Sequence, residues 1–192
     1  MGGSIIFLII IIVVAIIGFF YSIIYNKFQD SIIKLNEVEG KIDETLRSKF
    51  DGLLEMNNII KEKINTKKAI VDDITKLKDE EISSFELDRK LSEALSKINF
   101  IRKQYEELHN IDQLNKLSYD IDDMDESLAA YKKYYNENIV EYNKLIRKFP
   151  YNIIGMILKY KEKSFFDGKD LNDENIKDFI KENTNLIIKK LV

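Results

Sequence analysis

From Ile5 to Ile24 the chain carries about twenty uncharged, mostly apolar residues, and its first charged side chain is Lys27. As a helix rising ~1.5 Å per residue, that stretch covers a hydrocarbon core of ~30 Å. A cleaved signal peptide would begin with a basic segment, carry a shorter apolar run and leave through a small-x-small exit. Here the run follows Met1-Gly2-Gly3-Ser4 and leaves through Tyr25-Asn26-Lys27-Phe28. An uncleaved anchor crossing the lipid bilayer through residues 5–24 is therefore expected. Tyr21 and Tyr25 fall where an interfacial aromatic belt would lie. A buried core helix would need a partner apolar enough to cover every side, and no other stretch of the sequence offers one. Lys27, Lys34 and Lys41 follow the span and no basic side chain precedes it. The positive-inside bias thus puts the N-terminus outside and the body in the cytoplasm at the cell membrane, as a single-pass protein.

The remainder is of a different kind. Charged residues make up 33% of the whole and sit entirely after the apolar stretch, which a mean hydropathy of −0.25 conceals. With no Cys, disulfide scaffolds, thiolate catalysis and Cys-ligated zinc are excluded; one His makes a His-based triad or multi-histidine metal site implausible. One Pro and 7 Gly are too few for a turn-rich β architecture. A net charge of −3 gives no bulk electrostatic case for nucleic acid.

The period of the apolar residues sets the fold class. Leu87, Leu91, Ala94, Ile98, Ile101, Tyr105 and Leu108 alternate steps of four and three. Leu117, Ile121, Met124, Leu128, Tyr131, Tyr135, Asn138, Tyr142, Leu145 and Phe149 do the same, and Phe28, Ile32, Leu35, Ile42, Leu46, Phe50, Leu53 and Ile60 form a looser series. A period near 3.5 is the seam of helices packed in coiled-coil fashion. The expectation is an all-α protein: an N-terminal transmembrane helix, then an antiparallel bundle of three long helices with shorter C-terminal ones. Ser83 with Glu86, and Asn110 with Gln113, have the spacing of capping boxes, so helix starts and a turn near His109 are expected there. Phe149-Pro150 stops the third long helix, and Pro150 can open the next. Residues 1–25 are thus the anchor, 26–166 the bundle, and 167–192 an appended amphipathic helix with Ile176, Phe179, Ile180, Ile187 and Leu191 on one side.

Several of these residues have a family likeness. Tyr134-Tyr135-Asn136, Val140-Glu141-Tyr142-Asn143, Phe149-Pro150, Tyr160-Lys161 and Phe165-Phe166 resemble the carboxy-terminal block of the LemA family of bacterial membrane-anchored proteins. Tyr25-Asn26 followed by Val38, Ile42-Asp43 and Leu46 is similar to the segment after that family's anchor, and Leu91-Ser92-Glu93-Ala94-Leu95 to its mid-domain leucine pair. The likeness spans roughly Ile5 to Asp167. The chain departs from the pattern in lacking the first-helix Trp. Lys49-Phe50-Asp51-Gly52 and Glu55-Met56-Asn57 also stand where the family has a basic residue and then Pro-Asn. The resemblance implies a single-pass protein with a cytoplasmic helical bundle and no assigned catalytic activity.

Candidate sites are few. Asp120, Asp122, Asp123, Asp125 and Glu126 are dense, yet a calcium loop needs Gly at its sixth position and Glu at its twelfth, where Asp125 and Tyr131 stand. A solvated acidic face is the reading, and no metal or cofactor is expected. Tyr131, Tyr135 and Tyr142 lie on the seam and belong to core packing. Tyr134 lies off it, and with Asn136 and Asn143 is the candidate for an exposed interaction strip. Asn138, on the seam, is expected to fix helix register, and His109 to cap a helix end. The tail helix is expected to dock on the bundle, with an anionic membrane surface as its alternative site. No nucleophile–base pair or phosphate-cradling loop is present, so no enzyme is expected. The expected function is a membrane-tethered interaction or scaffold module with an unknown protein partner. The alternative is a structural homo-oligomer, in which seams pair between copies.

Overall fold

The computed structural model describes residues 2–64 and 82–167. Among them all regular structure is helical: α1 (Gly2–Lys63), α2 (Ser84–Gln104), a 3-10 turn (Glu106–Leu108), α3 (Asp112–Arg147) and α4 (Tyr151–Ile157). The apolar side expected of the tail helix, Ile176 to Leu191, lies outside the described residues.

α1 runs for 62 residues without interruption. No Pro breaks it, and the hydroxyls of Ser31, Thr45 and Ser48 donate to backbone carbonyls four residues back, so they offer the backbone no competing turn. Its first part is apolar on all sides and exposed on all sides. The 18-residue window of highest hydropathy, 3.2, has none of its residues buried. By length, composition and exposure among the described residues it is a candidate membrane span. From Ile24 on, one face is buried at steps of three and four.

The described residues cluster into two compact units, divided within α1 and again within α3. One takes in those of Val38–Tyr134. There α1 buries Val38, Ile42, Leu46, Lys49, Leu53, Met56 and Ile60, while α2 contributes Leu91, Ala94 and Ile98, and α3 Leu114, Ile121 and Leu128. The apolar period selects the buried face but carries no direction; the cross-helix hydrogen bonds supply it. Gln113 Nε2 donates to Glu55 Oε1 (2.6 Å) and Lys49 pairs with Asp125, so α3 opposes α1. Lys132 Nζ donates to Asp88 Oδ2 (2.6 Å) and Arg102 Nη2 to Asn115 Oδ1 (2.8 Å), so α3 opposes α2 as well. Ser84 Oγ accordingly meets Asp43 Oδ1 at 2.6 Å, with α1 and α2 pointing the same way.

Capping follows the sequence in one place and departs from it in another. Ser83 Oγ accepts from the Glu86 backbone N–H (3.2 Å), starting α2 as expected. The turn at His109-Asn110 is present, but α3 begins at Asp112, and Gln113 reaches across to Glu55 instead of back to Asn110.

The other unit takes in the described residues up to Glu37 and from Tyr135. Its core is Ile24, Phe28, Leu35, Ile139, Tyr142 and Phe165. In α3 the buried series slips by one at this point. Ile139, not Asn138, is the fully buried member, Asn138 is half-buried, and Phe149 at the end of the expected seam is exposed. A helix at 3.6 residues per turn drifts against a strict 3.5 repeat, and the one-residue shift restores the apolar face.

Candidate functional site

The residues that make the sequence distinctive gather in the unit built on Phe28. Phe149-Pro150 ends α3, and α4 turns back beside α1. Gly155 lies so close to Phe28 that an added Cβ would sit 3.5 Å from the ring Cζ. α4 closes with Tyr160 N–H bonded to Gly155 O (2.9 Å) and Lys159 N–H to Met156 O (3.2 Å). That pair of bonds needs a left-handed residue between them, and Lys159 supplies it at φ 58°.

Beyond Tyr160 the chain runs without regular structure to Asp167, and such backbone must find hydrogen-bond partners outside itself. Two asparagines of α3 provide them. Asn143 Nδ2 donates to Lys163 O (2.7 Å) and its Oδ1 accepts from Lys163 N–H (2.9 Å). Asn136 Oδ1 accepts from Phe166 N–H (2.9 Å). The spacing is dictated by geometry. Seven helical residues rise ~10.5 Å, and three extended residues span ~10 Å. Asn136 and Asn143 therefore match Phe166 and Lys163, with the segment antiparallel to α3. Arg147, one helical turn further, makes a two-bond fork to Glu162 (both 2.7 Å).

Aromatic rings fill the space beneath this strap. Phe28 meets Tyr160 at 5.1 Å between centroids, Tyr142 at 6.2 Å and Tyr151 at 6.3 Å, the last two edge-to-face. Tyr135 meets Phe166 edge-on at 6.5 Å, and Gln29 Nε2 donates to the Tyr160 hydroxyl (2.9 Å). Burial, and then the neighbouring Tyr160, push the Tyr142 hydroxyl above its ordinary range. That direction keeps the phenol protonated and is opposite to what a nucleophile or base requires. The hydrogen bonds from Arg147 hold the Glu162 carboxyl below the usual carboxylate range.

The three residues of the expected strip are thus not one surface. Tyr134 is 48% exposed, but Asn143 is 1% exposed and bonded to backbone, and Asn136 is half-buried and likewise bonded. The correction has a physical reason: an asparagine amide matches a peptide group donor for acceptor. Tyr142 is buried and Tyr131 and Tyr135 half-buried, as core residues. Asp120, Asp122, Asp123 and Glu126 are exposed. No group of three potential ligands able to hold a metal occurs among the described residues. His109 ends the 3-10 turn, where its N–H bonds to Glu106 O and its carbonyl accepts from Asn115 Nδ2.

Two polar groups in the Val38–Tyr134 unit were not anticipated. Lys49 is fully buried and ion-paired to the partly exposed Asp125, and Asn57 is fully buried with neither amide atom hydrogen-bonded. Lys49 completes the four-three series between Leu46 and Leu53, which is the sequence signal for its burial.

The sequence pattern of the LemA family matches residues 39–178, most of the chain. The chain belongs to the LemA family. No curated protein matches it. The LemA match takes in the strap, its two asparagines and all of α2, and starts after the apolar stretch of α1.

Proposed function

We propose that this LemA-family chain is a single-pass protein of the cell membrane, anchored by residues 5–24, with its helical body in the cytoplasm serving as a non-enzymatic interaction or scaffold module. The observation that carries the reading is the contrast within α1. Its apolar first part has no cover among the described residues, while the residues from Ile24 on bury one face. Lys27, Lys34 and Lys41 after the span support the orientation. The non-enzymatic role is supported by Tyr135, Tyr142, Tyr160, Asn136 and Asn143: they are engaged in packing and in hydrogen bonds within the chain, leaving the helix surfaces to meet partners.

Cross-linking of the full-length protein in its native membrane tests the role. One dominant protein partner is expected. Self-contacts alone would replace the scaffold reading with homo-oligomeric assembly. Recovery of the full-length protein in the aqueous fraction after gentle lysis would overturn the anchor, and protease access to the body from outside the cell would overturn the orientation.

A further inference from the structure

α4 has an outward face that the other described residues leave exposed. Phe149, Ile153, Met156 and Ile157 are 49–78% exposed, while Tyr151, Ile154 and Gly155 pack inward. The helix Tyr-Asn-Ile-Ile-Gly-Met-Ile contains no charged residue, which is unusual for a surface helix. Its place in the fold is equally specific. Its inner face lies on Phe28, and Ile24, the last residue of the apolar stretch, belongs to the same core. The inner face of α4 therefore lies level with Phe28, one helical turn beyond the end of the span.

In sequence, residues 144–163 carry six basic side chains and one acidic one; Glu162 is forked to Arg147, and Lys144 pairs with Glu141. Lys148, Lys159 and Lys161 are exposed at the two ends of α4. Apolar side chains flanked by lysines, on a surface continuous with a bilayer-crossing helix, match the acyl–headgroup boundary of an anionic membrane.

We infer that α4 with Phe149 is a second membrane contact, a foot inserted into the anionic lipid interface beside the anchor. The inference rests on the anchoring reading. With the span fixed at Ile24, the foot lies at headgroup depth, where it holds the emerging helix at a set tilt against the bilayer.

The chain has no Cys, so single-cysteine variants can be labelled uniquely. Full-length Met156→Cys, Val14→Cys and Ser96→Cys, each carrying an environment-sensitive fluorophore, are reconstituted in phosphatidylcholine vesicles containing phosphatidylglycerol. Nitroxide-bearing lipid is the quencher. Met156 is exposed, so its replacement leaves the core intact. The expected result is a Val14 label quenched by deep nitroxide, a Met156 label quenched by shallow nitroxide, and an unquenched Ser96 label. A Met156 label behaving like the Ser96 label, with Val14 quenched, overturns the foot and leaves the anchor standing. An unquenched Val14 label removes the anchor and the foot together. A Met156 label shifted to the blue yet unquenched means that protein covers the face, either residues 168–192 or a second copy, and also overturns the inference.

Discussion

The two units reach stability by different chemistry. The Val38–Tyr134 unit is helix against helix, with a core of leucine, isoleucine, valine and methionine interrupted by Lys49 and Asn57. In the unit built on Phe28, an irregular strap closes against a helix over a core where rings join aliphatic side chains, and two asparagines bond its backbone at Lys163 and Phe166. A helical seam satisfies its own peptide groups and accepts one aliphatic residue for another at small cost. A strap needs a particular amide at a particular height, and a ring of particular shape beside it. The strap should therefore tolerate fewer substitutions than the seam.

The difference can be broken most severely at Phe28. Truncation to Ala removes a ring with three aromatic neighbours, and a loss of about 4 kcal/mol is expected in denaturant unfolding of the full-length protein in detergent. The same change at Leu46 opens an aliphatic seam that can partly collapse, and should cost less.

In the Val38–Tyr134 unit the sensitive change is at the buried charge. Asp125→Ala strands the Lys49 ammonium and should cost about 3 kcal/mol, whereas Lys49→Met leaves only a partly exposed carboxylate and should be nearly neutral. Equal costs for the two would show that Lys49 is not buried as described.

Asparagine gives the sharpest contrast, because the sign should differ. Asn143→Ala removes both hydrogen bonds to the Lys163 backbone and should destabilise by about 2 kcal/mol. Asn57→Leu removes an amide that has no partner and should stabilise by about 1 kcal/mol. Thermal melts followed by circular dichroism would read both.

The smallest effect is a pH dependence. Because Arg147 holds the Glu162 carboxyl below its unfolded value, the pair's contribution is full above the ordinary carboxylate range. It disappears as pH falls through the lowered folded value. Both groups are about half exposed, so its size should be below about 1 kcal/mol. Arg147→Ala should remove that part of the acid-side slope, as read from melts across acidic pH.

Much of this was legible in the residues. The four-three spacing placed the buried faces of α1, α2 and most of α3, because the amphipathic period is a direct consequence of helix geometry. Ser83 could be read because a cap is local. The roles of Asn136 and Asn143 could not: each depends on backbone some twenty to thirty residues later in the chain, and a polar residue beside a seam looks the same whether it faces water or a strap. Asn138 misled for a related reason, since a strict repeat extrapolates through the point where α3 slips to Ile139. The direction of α2 was hidden because periodicity is the same read either way.

The claim on which the rest depends is that Asn136, Asn143 and the strap work as an internal brace. Amide hydrogen exchange of the full-length protein, resolved at Lys163 and Phe166, tests it most directly. The account predicts protection of both amides, lost at Lys163 in Asn143→Ala and at Phe166 in Asn136→Ala, while the amides of α2 stay protected. Exchange of both at the rate of an unstructured peptide in the unsubstituted protein would contradict it.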